Sequence, residues 1–199
     1  MARSPLLLLI GLRCSGKTTL GKATAQSLNL PCADLDPSVL AALGCSTVTE
    51  AFAFHGERGW RDAEAAAFRQ ALDASDIRVL SVGGGTPTTA GSAAAIRQGQ
   101  QQGWLRVALL DPGQEELIKR LQASRGDRPT LASDPMDEVS RLAAERMPLF
   151  RSLADMVIDT REPLAACVQR LATLLTLNPD TAPSSPASES PPGRSRRAS

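Results

Sequence analysis

Gly11-Leu12-Arg13-Cys14-Ser15-Gly16-Lys17-Thr18 fits the spacing G-x-x-x-x-G-K-[ST], and its flanks suit it. Leu6 to Ile10 is a short, wholly apolar run, the pattern of a buried parallel strand. Thr18 to Asn29 reads as a helix, with Leu20, Ala23 and Leu28 spaced for one face. A strand, a glycine-bounded loop and a helix N-terminus together make a phosphate cradle. Backbone N–H groups converge on the anion there, and the helix dipole adds partial positive charge. Cys14, Ser15, Gly16, Lys17, Thr18 and Thr19 are the expected nucleotide-binding residues. Lys17 can reach the terminal phosphates, and the Thr18 hydroxyl can ligate Mg²⁺.

Outward from that loop, strands alternate with helices. Pro31 to Leu35 is a short candidate strand that ends in Asp34-Leu35-Asp36. If that end is extended, alternation puts both carboxylates on one side, at the ligand-facing end of an open sheet. Pro37 can open the next helix. Thr47 to Phe54 reads as a helix broken at Gly56, and Glu57 to Ala74 as an alanine-rich one carrying Trp60, Arg61 and Glu64. Arg61 and Glu64 stand three apart and can pair on one face. Ile77 to Val82 is the next strand, followed at once by Gly83-Gly84-Gly85. Three glycines there permit close backbone approach or unusual dihedrals. A helix over Ala90 to Gln98, a strand Leu105 to Leu110 and a helix Gln114 to Ala123 come next. Ser124 to Thr130 reads as a polar, turn-rich loop. Asp134 can cap a helix through Glu145 and Arg146, with Pro148 near its end. Met156 to Ile158 is a last strand and Leu164 to Leu175 a last helix. The pattern predicts an α/β fold, a parallel sheet with helices on both faces.

Composition narrows the class. The 199 residues suit one α/β domain with a sizeable core, and a net charge of +1 points to no nucleic acid or acidic partner. Cys14, Cys32, Cys45 and Cys167 have no metal-site spacing and are expected as free thiols in a reducing compartment. The N-terminal apolar run is too short for a membrane span and has no signal-peptide cleavage pattern, so a cytoplasmic protein is expected. Residues 178–199 are Pro- and Ser-rich with a basic close, and are expected to form a disordered tail after a domain at 1–177.

A nucleoside triphosphate with Mg²⁺ is the natural ligand of the loop. Phosphoryl transfer then needs positioning and charge neutralisation, and an acceptor hydroxyl benefits from a carboxylate that takes its proton. Asp34 and Asp36 are placed for these tasks, one toward the metal through water and the other toward the acceptor. Arg61 and Arg146 offer planar forks for a carboxylate or phosphate. Arg128, in the polar loop, can close over transferring phosphates. The single His55 has no partner pattern and reads as a surface or helix-end residue.

Six segments in order, GLRCSGKTT, DLD, GERGWRDAE, VLSVGGGTP, RGDRPTL and RMPLFRSLADMVIDT, resemble the shikimate kinase family from about Leu6 to Leu175. The resemblance implies a phosphate-loop NTPase fold: a five-stranded parallel sheet, a substrate-binding helical region and a lid. It implies ATP-dependent phosphorylation of shikimate at its 3-hydroxyl, in the route to aromatic amino acids. Thr18 is then the direct Mg²⁺ ligand and Asp34 a water-mediated one. Asp36 binds substrate hydroxyls and acts as base, and Lys17 and Arg128 serve the transferring phosphates. Arg61 and Arg146 hold the shikimate carboxylate, and the backbone of Gly83, Gly84 and Gly85 approaches the substrate. Phe52 and Trp60 are apolar walls, and Arg120 is nearest to the adenine-contacting position, with Arg161 as the other choice. Small molecules are the expected partners of a monomer, without nucleic acid or membrane. Departures from the family pattern are Arg13, Cys14 in place of a common glycine, Phe150 in place of tyrosine, and no glutamate shortly after Asp36. A gluconate kinase or a non-catalytic nucleotide-binding regulator are the competing readings; the GGG turn and GERGWR favour shikimate, and Asp34, Asp36 and Arg128 favour catalysis.

Overall fold

Five parallel strands in the order β2-β3-β1-β4-β5 carry the computed structural model, which describes residues 3–123 and 135–176. They are β1 (Leu6–Ile10), β2 (Cys32–Asp34), β3 (Val79–Ser81), β4 (Leu105–Leu110) and β5 (Met156–Ile158). The helices are α1 (Lys17–Leu28), α2 (Leu35–Leu43), α3 (Val48–Asp73), α4 (Ser92–Gln101), α5 (Gln114–Ala123), α6 (Pro135–Leu153) and α7 (Leu164–Thr176). A single 3₁₀ turn, Thr86–Thr88, follows the glycines.

β1 is central and buried along its whole length, so its side chains supply both cores. Leu6, Leu8 and Ile10 pack with Leu105, Val107 and Leu109 of β4 under α2, α3, α4 and α6. Leu7 and Leu9 turn the other way, with Ala108 and Leu110, onto Leu20 and Ala25 of α1 and Leu171 and Leu174 of α7. An unbroken apolar run with period-2 faces is what a strand covered on both sides requires.

Several expected elements change at their ends. Helix α2 begins at Leu35, so Asp34-Leu35-Asp36 is not one extended run with both carboxylates on one side. Asp34 is instead the N-cap, accepting from the Asp36 N–H at 3.2 Å, and Asp36 lies in the first helical turn. An Asp at this position satisfies an orphan helix donor better than strand pairing would use it. The break at Gly56 holds: φ 66° and ψ 179° interrupt α3 in a region open only to glycine. Pro148 lies inside α6, which continues to Leu153, at the loss of one ladder hydrogen bond. The expected lid loop, the Asp134 cap and the 178–199 tail lie outside the described residues. No single helix among the described residues is long and apolar enough to cross a membrane. None of the four cysteines, all among the described residues, forms a disulfide.

Candidate active site

β1 delivers the chain to the carboxyl edge of the sheet, where Gly11 to Gly16 curl before α1. Within this loop Gly16 has φ 96° and Cys14 has φ 62°. Cys14 thus holds a left-handed conformation that disfavours any residue with a Cβ. Ser15 is buried, and the Lys17 ammonium folds over the loop, donating to Gly11 O at 3.0 Å and Leu12 O at 2.8 Å. Thr18 and Thr19 are exposed at the first turn of α1. The Thr18 hydroxyl donates to Asp34 Oδ2 at 2.6 Å, which puts two hard oxygen donors side by side at the helix N-terminus. Asp34 therefore caps α2 with one oxygen and meets Thr18 with the other.

The second half of the site is built round Gly83-Gly84-Gly85, which leave the end of β3. None of the three has a positive φ. Close approach is what requires glycine here. A Cβ on Gly83 would collide with Glu64 Oε1 and lie 3.4 Å from Asp36 Oδ1. One on Gly84 would lie 3.2 Å from the Arg13 backbone nitrogen, and one on Gly85 would be 2.6 Å from Arg61 Cζ. The turn is thus sandwiched between the phosphate loop, Asp36 and α3.

Two guanidinium groups converge on it. Arg61, in the arm of α3 after the Gly56 break, donates from Nη1 to Glu64 Oε2 at 2.7 Å and reaches Glu57 at 3.4 Å. Arg146 of α6 donates from Nη1 to Gly84 O at 3.0 Å. Arg146 is 8% exposed, and its Nε is buried with no hydrogen-bond partner. Burial, and then the positive charge of Arg61, push its pKa below the ordinary arginine value. An arginine stays protonated even so, and a buried guanidinium with an unmet donor has the chemistry to receive an anion. Glu64 and Thr86, whose hydroxyl donates to Glu64 Oε1 at 2.7 Å, are the two residues here that sequence reasoning gave no part in the site. The 61/64 spacing signals the ion pair; the burial of Glu64 at 1% exposure is what makes it part of the site.

On the other side of the loop, Arg120 of α5 spans three elements. Its Nε donates to Glu116 at 2.8 Å, and its Nη groups to Thr160 O at 2.9 Å and Cys14 O at 3.4 Å. Arg161 is turned instead to Asp159, at 2.6 Å. Its hydrogen bonds hold the Asp159 carboxyl down at about 2. Of the two, Arg120 touches the phosphate loop.

A family model for shikimate kinase matches residues 13–176. The chain belongs to the shikimate kinase family. The shikimate kinase of Rhodopseudomonas palustris is 36% identical over 157 residues, which are 78% of this chain and 73% of that protein. The crystal structure of the Bacteroides thetaiotaomicron shikimate kinase superposes with a TM-score of 0.74 at 28% identity, covering 87% of this chain and 99% of its own. That of the Acinetobacter baumannii shikimate kinase in complex with shikimate gives a TM-score of 0.75 at 26% identity, covering 87% and 94%.

Within the shikimate kinase frame, one expected wall is displaced. Trp60 is 2% exposed and part of the main core, its ring 5.5 Å from that of the half-buried Phe52 and tilted by 34°. Trp60 therefore backs Phe52 rather than presenting a face of its own. Phe150 is fully buried, in an apolar environment where a phenol would need a hydrogen-bond partner. Arg128 lies outside the described residues.

Proposed function

We propose that this chain is a shikimate kinase, moving the γ-phosphoryl group of ATP to the 3-hydroxyl of shikimate. The observation that carries this is the pairing of Arg61 with the buried, under-bonded Arg146 at the glycine turn. Two forks at one place suit a carboxylate, and shikimate presents a carboxylate on a ring of hydroxyls.

The roles follow from position. The loop N–H groups and Lys17 bind the nucleotide phosphates; Lys17 leaves its carbonyl partners for them as the anion arrives. Arg61 and Arg146 fix the acid end of the acceptor, and the backbone of Gly83 to Gly85 lets its ring lie close. Asp36, whose carboxylate faces Gly83, takes the proton from the attacking hydroxyl. Arg120 lines the base side of the nucleotide, and Arg128, outside the described residues, serves the transferring phosphates.

Thr18 and Asp34 fit Mg²⁺ in their chemistry. Both are oxygen donors, and the described residues hold no cluster of three or more His, Cys, Asp or Glu side chains that could hold a metal. A cation that keeps its waters and leans on phosphates needs no more than one or two protein oxygens. When bound, Mg²⁺ neutralises charge on the transferring phosphates. We further propose that the enzyme acts as a monomer on small molecules alone, in the cytoplasm, where its four thiols stay reduced.

The test is ADP release by the purified protein with ATP and Mg²⁺, across shikimate, quinate and gluconate. Release that depends on shikimate is the expected result. Release with gluconate and none with shikimate assigns the site to a related sugar-acid kinase, and no acid-dependent release makes the chain a non-catalytic nucleotide binder.

A further inference from the structure

Beneath the two arginines lies a second layer of side chains, Glu64 and Thr86, to which the proposed mechanism gives no role. The Glu64 carboxylate and the Thr86 side chain are almost wholly removed from solvent, at 1% and 0% exposure. The two meet at 2.7 Å through the Thr86 hydroxyl and Glu64 Oε1, while Glu64 Oε2 receives Arg61 Nη1, also at 2.7 Å. Among the described residues Arg61 has one other ion pair, to Glu57 at 3.4 Å, on a side chain 57% exposed. The buried carboxylate is therefore the firm hold on the guanidinium, and water and salt weaken the other.

Thr86 is itself rigidly placed. It opens the 3₁₀ turn straight after the glycines; its N–H donates to Gly83 O at 3.1 Å, and its carbonyl accepts from the Thr89 N–H and hydroxyl at 3.1 and 2.8 Å. Glu64 is also hemmed in, because its Oε1 occupies the space a Gly83 Cβ would take.

We propose that Thr86 is a positioning residue for the acceptor site: its hydroxyl fixes Glu64, and Glu64 fixes the aim of Arg61. The proposal rests on the shikimate reading. A buried carboxylate oxygen that loses its donor must rotate toward another, and the guanidinium bonded to its twin oxygen moves with it. An arginine displaced by a fraction of an ångström holds the substrate carboxylate less well, while the phosphate loop, tied to other elements, is untouched.

The experiment compares Thr86→Val, which keeps the shape and removes the donor, with Thr86→Ser, which keeps the donor and removes a methyl. Steady-state kinetics are measured for shikimate and ATP, with Arg61→Ala and the Thr86→Val/Arg61→Ala double variant alongside. The KM for shikimate should rise about 5- to 20-fold in Thr86→Val, the loss of one hydrogen bond to a charged group. The KM for ATP should stay within about twofold, which also shows that the protein is folded, and kcat should fall less than the shikimate KM rises. Thr86→Ser should return the shikimate KM to within about threefold of wild type. In the Arg61→Ala background Thr86→Val should add little, since both changes remove one hold on the substrate. An unchanged shikimate KM in Thr86→Val, a parallel rise in both KM values, a serine variant no better than valine, or full additivity with Arg61→Ala each overturns the relay alone. A wild-type protein that does not turn over shikimate overturns the substrate reading and the relay with it.

Discussion

The phosphate loop and the glycine turn lie back to back, with a Gly84 Cβ position 3.2 Å from the Arg13 nitrogen, yet they are built in opposite ways. The loop is local. Its residues are contiguous, Gly11 to Thr19, and its shape is stored in backbone dihedrals that include the left-handed Cys14 and Gly16. The turn is assembled from distant chain: Asp36 from α2, Arg61 and Glu64 from α3, Thr86 after β3 and Arg146 from α6. A local site tolerates changes in packing elsewhere and depends on dihedral strain. An assembled one depends on buried polar partners, where one missing donor leaves another group unsatisfied.

Removing Asp36, the base we propose, should give the largest effect. Asp36→Asn is isosteric and stays in the first turn of α2, beneath the Asp34 cap. Its kcat should fall by roughly 10²–10⁴-fold, the worth of a positioned general base. ATP affinity, measured by calorimetric titration, should change little, because the loop and the Thr18–Asp34 pair are left intact. A near-normal kcat removes Asp36 from this role, and a matching loss of ATP affinity dissolves the separation between the two regions.

The loop gives the smallest effect. Cys14→Gly relieves a left-handed conformation that costs a residue with a side chain about 1–2 kcal/mol, offset by the greater freedom of glycine in the unfolded chain, roughly 0.5–1 kcal/mol. Thermal unfolding should therefore show a gain between nothing and about 1.5 kcal/mol, with the shikimate KM unchanged. A marked change in shikimate KM in this variant would couple two regions that touch at Gly84 but are built from different parts of the chain.

The same contrast explains what the sequence makes legible. A contiguous loop announces itself: the spacing of Gly11, Gly16, Lys17 and Thr18, with an apolar run before it, is enough to place β1 and α1. β4, α5 and β5 fall where the pattern puts them, since each is a clean apolar or amphipathic run with turn residues at its ends. The α3 break is readable from Gly56 for the same reason. Asp34 and Asp36 are a harder case, because an aspartate at the end of a short strand can continue it or cap a helix, and capping wins. Trp60 is harder again. The family resemblance makes Trp60 a substrate wall, but helical spacing turns neighbouring side chains about 100° apart, and Trp60 is buried in the core. Arg61 and Arg146 can be named singly from chemistry and are brought together only by the family resemblance, while the burial of Glu64 and Thr86 behind them exists only in three dimensions.

Arg61 and Arg146 together form, we propose, the carboxylate clamp at the glycine turn. Each charge-assisted bond is worth about 1.5–3 kcal/mol, at 1.4 kcal/mol per decade of affinity. The most direct measurement sets kcat/KM for shikimate against that for its uncharged carboxamide, in wild type, both single Ala variants and the Arg61→Ala/Arg146→Ala double variant. The wild type should prefer the acid by roughly 10- to 100-fold or more, each single variant should lose part of that preference, and the double variant should barely tell acid from amide. If the double variant still prefers the acid as strongly as the wild type does, these two arginines are not what holds the substrate.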